Sequence, residues 1–144
     1  VQNSRVAVSR ALEFIKSNEP GKSTEWYVAR LLLARRLGDH ENVDATVKEL
    51  RNQQQKDGGW GWIIGEQSDA LATGMSLYVL LRAGVGDMNT ISRAKRFLID
   101  GQQEDGSWPV AGTKQKKRDR IEETATYWGT TWAVLALTES LPKR

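Results

Sequence analysis

Five carboxylates and six aromatic side chains carry whatever chemistry this chain offers. Glu25, Glu66, Asp69, Glu122 and Glu123 stand just before or inside the first turn of three segments whose patterns predict helices. If those helices gather side by side, the acids collect at one end of the space between them. There they would form a rim that selects a cationic ligand or supplies a general acid, which requires strongly shifted pKa values. Their commonplace role is to complement helix dipoles, at about 0.3 to 1 kcal/mol each. Trp26, Tyr27, Tyr78, Tyr127, Trp128 and Trp132 lie on the same three segments. Aromatics at helical spacing usually fill a core; around a hollow they would hold an apolar ligand and shield positive charge. The chain has no cysteine and one histidine, His40. Disulfides, thiolate metal sites, a cysteine nucleophile and a multi-histidine site within the chain are therefore excluded. No catalytic residue, metal ligand or cofactor is assigned.

The elements that must position these side chains are set by a repeat. Gln54-Gln55-Lys56-Asp57-Gly58-Gly59-Trp60 recurs as Gln102-Gln103-Glu104-Asp105-Gly106-Ser107-Trp108, 48 positions further on (108 against 60). A recurrence at that period marks units that bury their apolar faces on one another. Val43, Val47 and Leu50 fall at helical spacing and Gln54 continues their stripe; Ile91, Ala94 and Leu98 do the same ahead of Gln102. Each glutamine is expected to be carried inward and to bond free backbone groups of a neighbouring helix end. Gly58 and Gly106 stop the helices, and Asp57 and Asp105 bond their own turns.

After each loop comes a segment without charge, Ala70 to Leu81 and Thr124 to Thr138. A helix tolerates that pattern only when surrounded by protein, so both belong inside. Gly74 and Gly129 match within them, 55 apart, which puts seven extra residues in the third unit's loop. Arg10-Ala11 resembles Arg93-Ala94 and opens a decayed first unit, with Trp26 to Leu33 as its second helix. The predicted architecture is all-α: one domain over 1–144, built as helical hairpins at 4–38, 40–84 and 88–141. Ser23, Ser68 and Thr90 are the expected N-caps, and Gly38 and Gly84 the C-terminal stops.

The bulk composition fits one soluble domain. Of 144 residues, 27% are charged and 39% hydrophobic, and no apolar run is long enough to span a membrane. The net charge of +3 is concentrated in Lys114 to Arg120, read as a solvated basic loop and not as a nucleic-acid surface. The chain does not begin with Met and has no signal-like segment at its start, so it reads as an excised piece or a processed product. Its compartment is left open.

Phe97-Leu98 with Gln102 and Gly106-Ser107-Trp108, preceded by Arg93-Ala94, closely resembles the QW repeat of the terpene cyclase and protein prenyltransferase superfamily. Leu50, Gln54 and Gly58-Gly59-Trp60 resemble it too, with Glu49 at the aromatic position. The resemblance implies an α/α toroid in which each Gln and Trp ties successive outer helices together: here Gln54, Asp57, Gly58 and Trp60, then Gln102, Asp105, Gly106 and Trp108. A closed toroid of that superfamily has about twice the helices counted here, so half a ring is implied. The superfamily's chemistry is not matched by residues. The Asp-x-Asp-Asp acid motif of class II cyclases is absent, as is the Cys of the prenyltransferase zinc set. Ile64-Gly65-Glu66-Gln67 matches three of four residues of the complement-type thioester motif, but without the thiol no thioester forms.

Three functions follow as expectations. The first is a non-catalytic binding or scaffolding module from a larger protein, such as an exported bacterial one. Its partner would be the remainder of the parent chain or a second copy, and its ligand apolar and isoprenoid-like, touching Trp26, Tyr78, Trp128, Trp132, Glu66, Asp69, Glu122 and Glu123. The second is half of a squalene-hopene-cyclase-like triterpene cyclase, an isomerase whose acid lies outside this chain. The third is a polysaccharide-acting enzyme, since α/α toroids host that chemistry as well.

Overall fold

The structure, a computed structural model, describes residues 2–84 and 87–142. Six α-helices account for it: α1 (Gln2–Ser17), α2 (Thr24–Leu37), α3 (His40–Gln53), α4 (Ala70–Ala83), α5 (Met88–Gly101) and α6 (Glu123–Glu139). A single 3-10 turn, Gln115–Lys117, interrupts the loop before α6. Among the described residues there is no strand, only three isolated bridges, so the all-α expectation holds. No helix among them is long and apolar enough to cross a membrane.

Apolar residues at i, i+4 and i+7 give α3 its buried stripe, Val43, Val47 and Leu50, and α5 buries Thr90, Ala94 and Leu98. Helix starts are fixed by aspartates. Asp39 accepts from the amide of Asn42, Asp69 from Ala72 and Asp87 from Thr90. The caps are thus one to three residues from the expected Ser68 and Thr90. A carboxylate at either site outcompetes the neighbouring hydroxyl, and the Thr90 hydroxyl itself donates to Asp87. Ser23 stands at the N-cap of α2 but makes no side-chain cap bond. Gly38 and Gly84 end α2 and α4 as predicted.

The packing follows one rule. α2, α4 and α6 form an inner row, with α4 lying against both α2 and α6, while α3 packs on α2 and α5 on α4. Each outer helix thus leans on the inner helix that precedes it. α4, touched on three sides, is buried almost throughout, as its lack of charge predicts. At Gly74 it meets the backbone of α6 so closely that an added Cβ would sit 2.6 Å from the Trp132 carbonyl carbon.

α6 departs from the expectation that both uncharged helices are enclosed. It buries Ala125, Gly129, Ala133 and Ala136 against α4, yet Tyr127 is 74% and Trp128 55% exposed, with Val134 and Leu135 open as well. No described helix covers its other side. α1 is likewise exposed over most of its length, including Val8 and Phe14, with Leu12 half-buried toward α2.

Candidate functional site: tryptophan joints and an aromatic hollow

Each repeated loop locks its outer helix to the inner row through a buried indole. Trp60 Nε1 donates to the Leu50 carbonyl (2.8 Å) and Trp108 Nε1 to that of Leu98 (2.7 Å). The backbone amide of each tryptophan donates to a threonine on the following inner helix: Trp60 to Thr73 Oγ1, Trp108 to Thr130 Oγ1. These bonds fix the register of the repeat. The equivalent pair is Thr73 and Thr130, 57 apart, so the third loop carries nine extra residues (57 against 48) and not seven. Gly74 and Gly129 are not equivalent: the first faces α6, the second the Val110 side chain.

The aspartates act as expected, Asp57 accepting from the Gly59 amide and Asp105 from the Ser107 amide, each at 2.9 Å. Bonds from the Ser107 hydroxyl and amide hold the Asp105 carboxyl below the usual range.

The glutamines differ. Half-buried Gln54 donates to the Gly58 carbonyl (2.8 Å) and across to the Thr90 carbonyl of α5 (3.0 Å). Arg93 of α5 reaches back to the carbonyls of Gln55 and Lys56. Gly58, at φ +93°, lies so near α5 that a Cβ would stand 2.6 Å from the Arg93 carbonyl oxygen. Gln102 is exposed and bonds only its own loop, at Gly106 (3.1 Å), and an added Cβ on Gly106 would meet nothing but that side chain. The expected inward burial therefore holds for Gln54 and not for Gln102. The second joint is built like the first, but among the described residues no outer helix receives it.

Beside the joints, at the amino-terminal end of the inner row, lies a hollow of about 430 Å³. Its apolar wall is Trp62, Leu71, Met75, Ala125, Trp128 and Trp132, with Tyr78 edge-on behind Trp132 at 5.6 Å between ring centres. Its polar edge is Glu25, Glu122, Lys114 and Lys117. The loop that carries the basic cluster folds back over this end: Lys117 pairs with Glu122, and Arg118 donates to Glu66 at 3.2 Å. Of the side chains singled out in the sequence, Trp128, Trp132, Glu25 and Glu122 thus share one hollow.

The others are distributed. Glu66 and Asp69 line a neighbouring cavity of about 260 Å³ with Trp108 and Arg118. Asp69 accepts from the amides of Ala72 (2.8 Å) and Trp62 (2.6 Å), yet burial dominates and pushes its carboxyl up to about 6. Glu123 is exposed in the first turn of α6. Trp26 lies apart, in a cavity of about 270 Å³ between α1, α2 and α3, edge-on to Tyr27 and beneath the Arg30 guanidinium. Trp62, whose place the repeat leaves undecided because Val110 stands at the matching position, lines both the 260 Å³ and the 430 Å³ cavities. Among the described residues no three His, Asp or Glu side chains converge to hold a metal ion.

An inner row of helices, an outer row leaning on it and tryptophan joints between units define a segment of an α/α toroid. Comparison with protein-family profiles and with curated protein sequences gave no match. Among solved structures, the chain is similar to two proteins described as possible members of the GH105 family. One is from Klebsiella pneumoniae (21% identity, TM-score 0.55) and one from Salmonella enterica serovar Paratyphi A (20% identity, TM-score 0.55). In each case the match covers 69% of this chain and 30% of the other. The likeness supports the α/α-toroid fold, of which this chain is a partial arc.

Proposed function

We propose that this chain is a toroid segment of the terpene cyclase and prenyltransferase kind, and that it works as a binding module whose concave face takes an apolar, isoprenoid-like ligand. The observation that carries the reading is the 430 Å³ hollow walled by Trp62, Trp128 and Trp132. Flat π-faces and aliphatic side chains suit a flexible hydrocarbon, and the Lys114 and Lys117 ammonium groups at the edge suit a polar or anionic head. The test is a fluorescence titration with farnesol and with farnesyl diphosphate. Saturable quenching is expected, weakened at least tenfold by Trp128→Ala, and incubation with squalene or prenyl diphosphates should leave the substrates intact. Quenching indifferent to Trp128, or product above blank, removes the proposal.

A second reading is favoured by one observation: two carboxylates, Glu25 and Glu122, line the same hollow beside the exposed Trp128 indole, on which a sugar ring can stack. A polysaccharide-acting site would use such a pair. Release of reducing ends from a polysaccharide panel, lost in Glu122→Gln, would favour it over the first.

A further inference from the structure

The packing rule leaves two surfaces of this chain without their counterpart, and the two are complementary. Among the described residues α3 leans on α2 and α5 on α4, but no outer helix leans on α6, and α1 leans on no inner helix in this way. On α6 the open face is Trp128, Thr131 and Leu135. In the register fixed by Thr73 and Thr130 these match Leu71, Gly74 and Tyr78, which α4 turns toward α6. The exposed residues are therefore those with which an inner helix meets its successor. On α1, alignment of Arg10 with Arg93 places exposed Ala7, Ala11 and Ile15 at the positions of Thr90, Ala94 and Leu98, the stripe α5 buries. It also makes Arg10 the counterpart of the arginine that binds the first joint's carbonyls.

We infer that the chain associates with a second copy of itself head to tail, α1 and α2 of one copy seated on α5 and α6 of the other. This rests on the toroid-segment reading. Arg10 would donate to the carbonyls of Gln103 and Glu104, as Arg93 does to Gln55 and Lys56. Gln102 would gain the carbonyl of Ala7, as Gln54 has that of Thr90. Charge agrees with the pairing: α1 carries Arg5, Arg10 and Lys16 against Glu13, and the tail joint offers Asp100, Glu104 and Asp105, all exposed. Head and tail are different surfaces, so the contact is heterologous, and a pair satisfies both of each when the rotation from copy to copy is a half turn. The arrangement would also bring a second wall to the aromatic hollow, beside Trp128.

Sedimentation of the full chain tests this. The expected result is concentration-dependent association with a pair of 16.2 kDa chains as its smallest assembly. Arg10→Glu damages only the head and Thr131→Arg only the tail, so each alone should be monomeric with unchanged circular dichroism. Mixed together, the two retain one intact head and one intact tail and should form a one-to-one heterodimer that grows no further. A wild type that stays monomeric to about 200 µM, or variants that fail to recombine, overturns the inference. A monomer that still binds farnesol leaves the binding proposal standing while ending this one.

Discussion

Asp69 shows how little of a side chain's electrostatics is written in its neighbours. In sequence it is one acid among five near helix starts. In the structure it caps α4, accepts from two amides and is still destabilised as an anion, its pKa raised to about 6 by burial. Above its unfolded value of 3.8, the folded state binds more protons at this group than the unfolded chain does. Stability from this group therefore falls as pH rises from about 4 to 6, and the full cost, on the order of 2 to 3 kcal/mol, is present at pH 7. Asp39, Asp87 and Asp105 act in the opposite sense. Hydrogen bonds, first from the Asn42 side chain, the Thr90 amide and the Ser107 hydroxyl respectively, lower their pKa values, so their contribution is lost as pH falls below about 4. Thermal unfolding should accordingly give a higher midpoint at pH 5 than at pH 7, and Asp69→Asn should flatten the profile across that window. A wild-type profile flat between pH 5 and 7 would show that the buried carboxyl is not perturbed.

The joints and the helices differ in how far the sequence reveals them. A joint is local: Gln, Asp-Gly and Trp within seven residues specify a left-handed glycine, an aspartate bonded to its own turn and an indole bonded back one helical stretch, although the helices end at Gln53 and Gly101, ahead of Gly58 and Gly106 and not at them as the sequence suggests. Helix environment is not local. Ala70–Leu81 and Thr124–Thr138 are alike in lacking charge, but only α4 has neighbours on three sides, and nothing in the residues of α6 records what stands beside it. The matching glycines misled for the same reason, since Gly74 and Gly129 were each selected by a different contact. The inequality of the two joints gives a sharp comparison. In dilute protein, Gln54→Ala removes bonds to two carbonyls in a half-buried seam and should cost about 1 to 3 kcal/mol. Gln102→Ala removes one exposed bond and should stay within about 0.5 kcal/mol. Equal losses in urea unfolding would mean that Gln54 does not tie α3 to α5.

Across the whole molecule, stability is graded from the centre to the two ends. α4 is enclosed by α2, α5 and α6, so its amides can exchange only through global opening; α6 rests on α4 by one face; α1 has almost no buried side chain and can open without disturbing the core. Hydrogen exchange followed by mass spectrometry should rank protection as α4 above α6 above α1 in dilute protein, with α1 exchanging many orders of magnitude faster than α4. The gradient also separates two views of the exposed ends. If α1 and the outer side of α6 are simply solvated, their exchange is independent of protein concentration. If they are the two halves of one contact between copies, protection of α1 and of the Trp128–Leu135 face should rise together with concentration, while α4, already at the global limit, gains only what association adds to the whole fold. Protection of α1 equal to that of α4 in the dilute chain would contradict the gradient itself. It would place α1 against the core through contacts that its exposed Val6, Val8 and Phe14 side chains do not make.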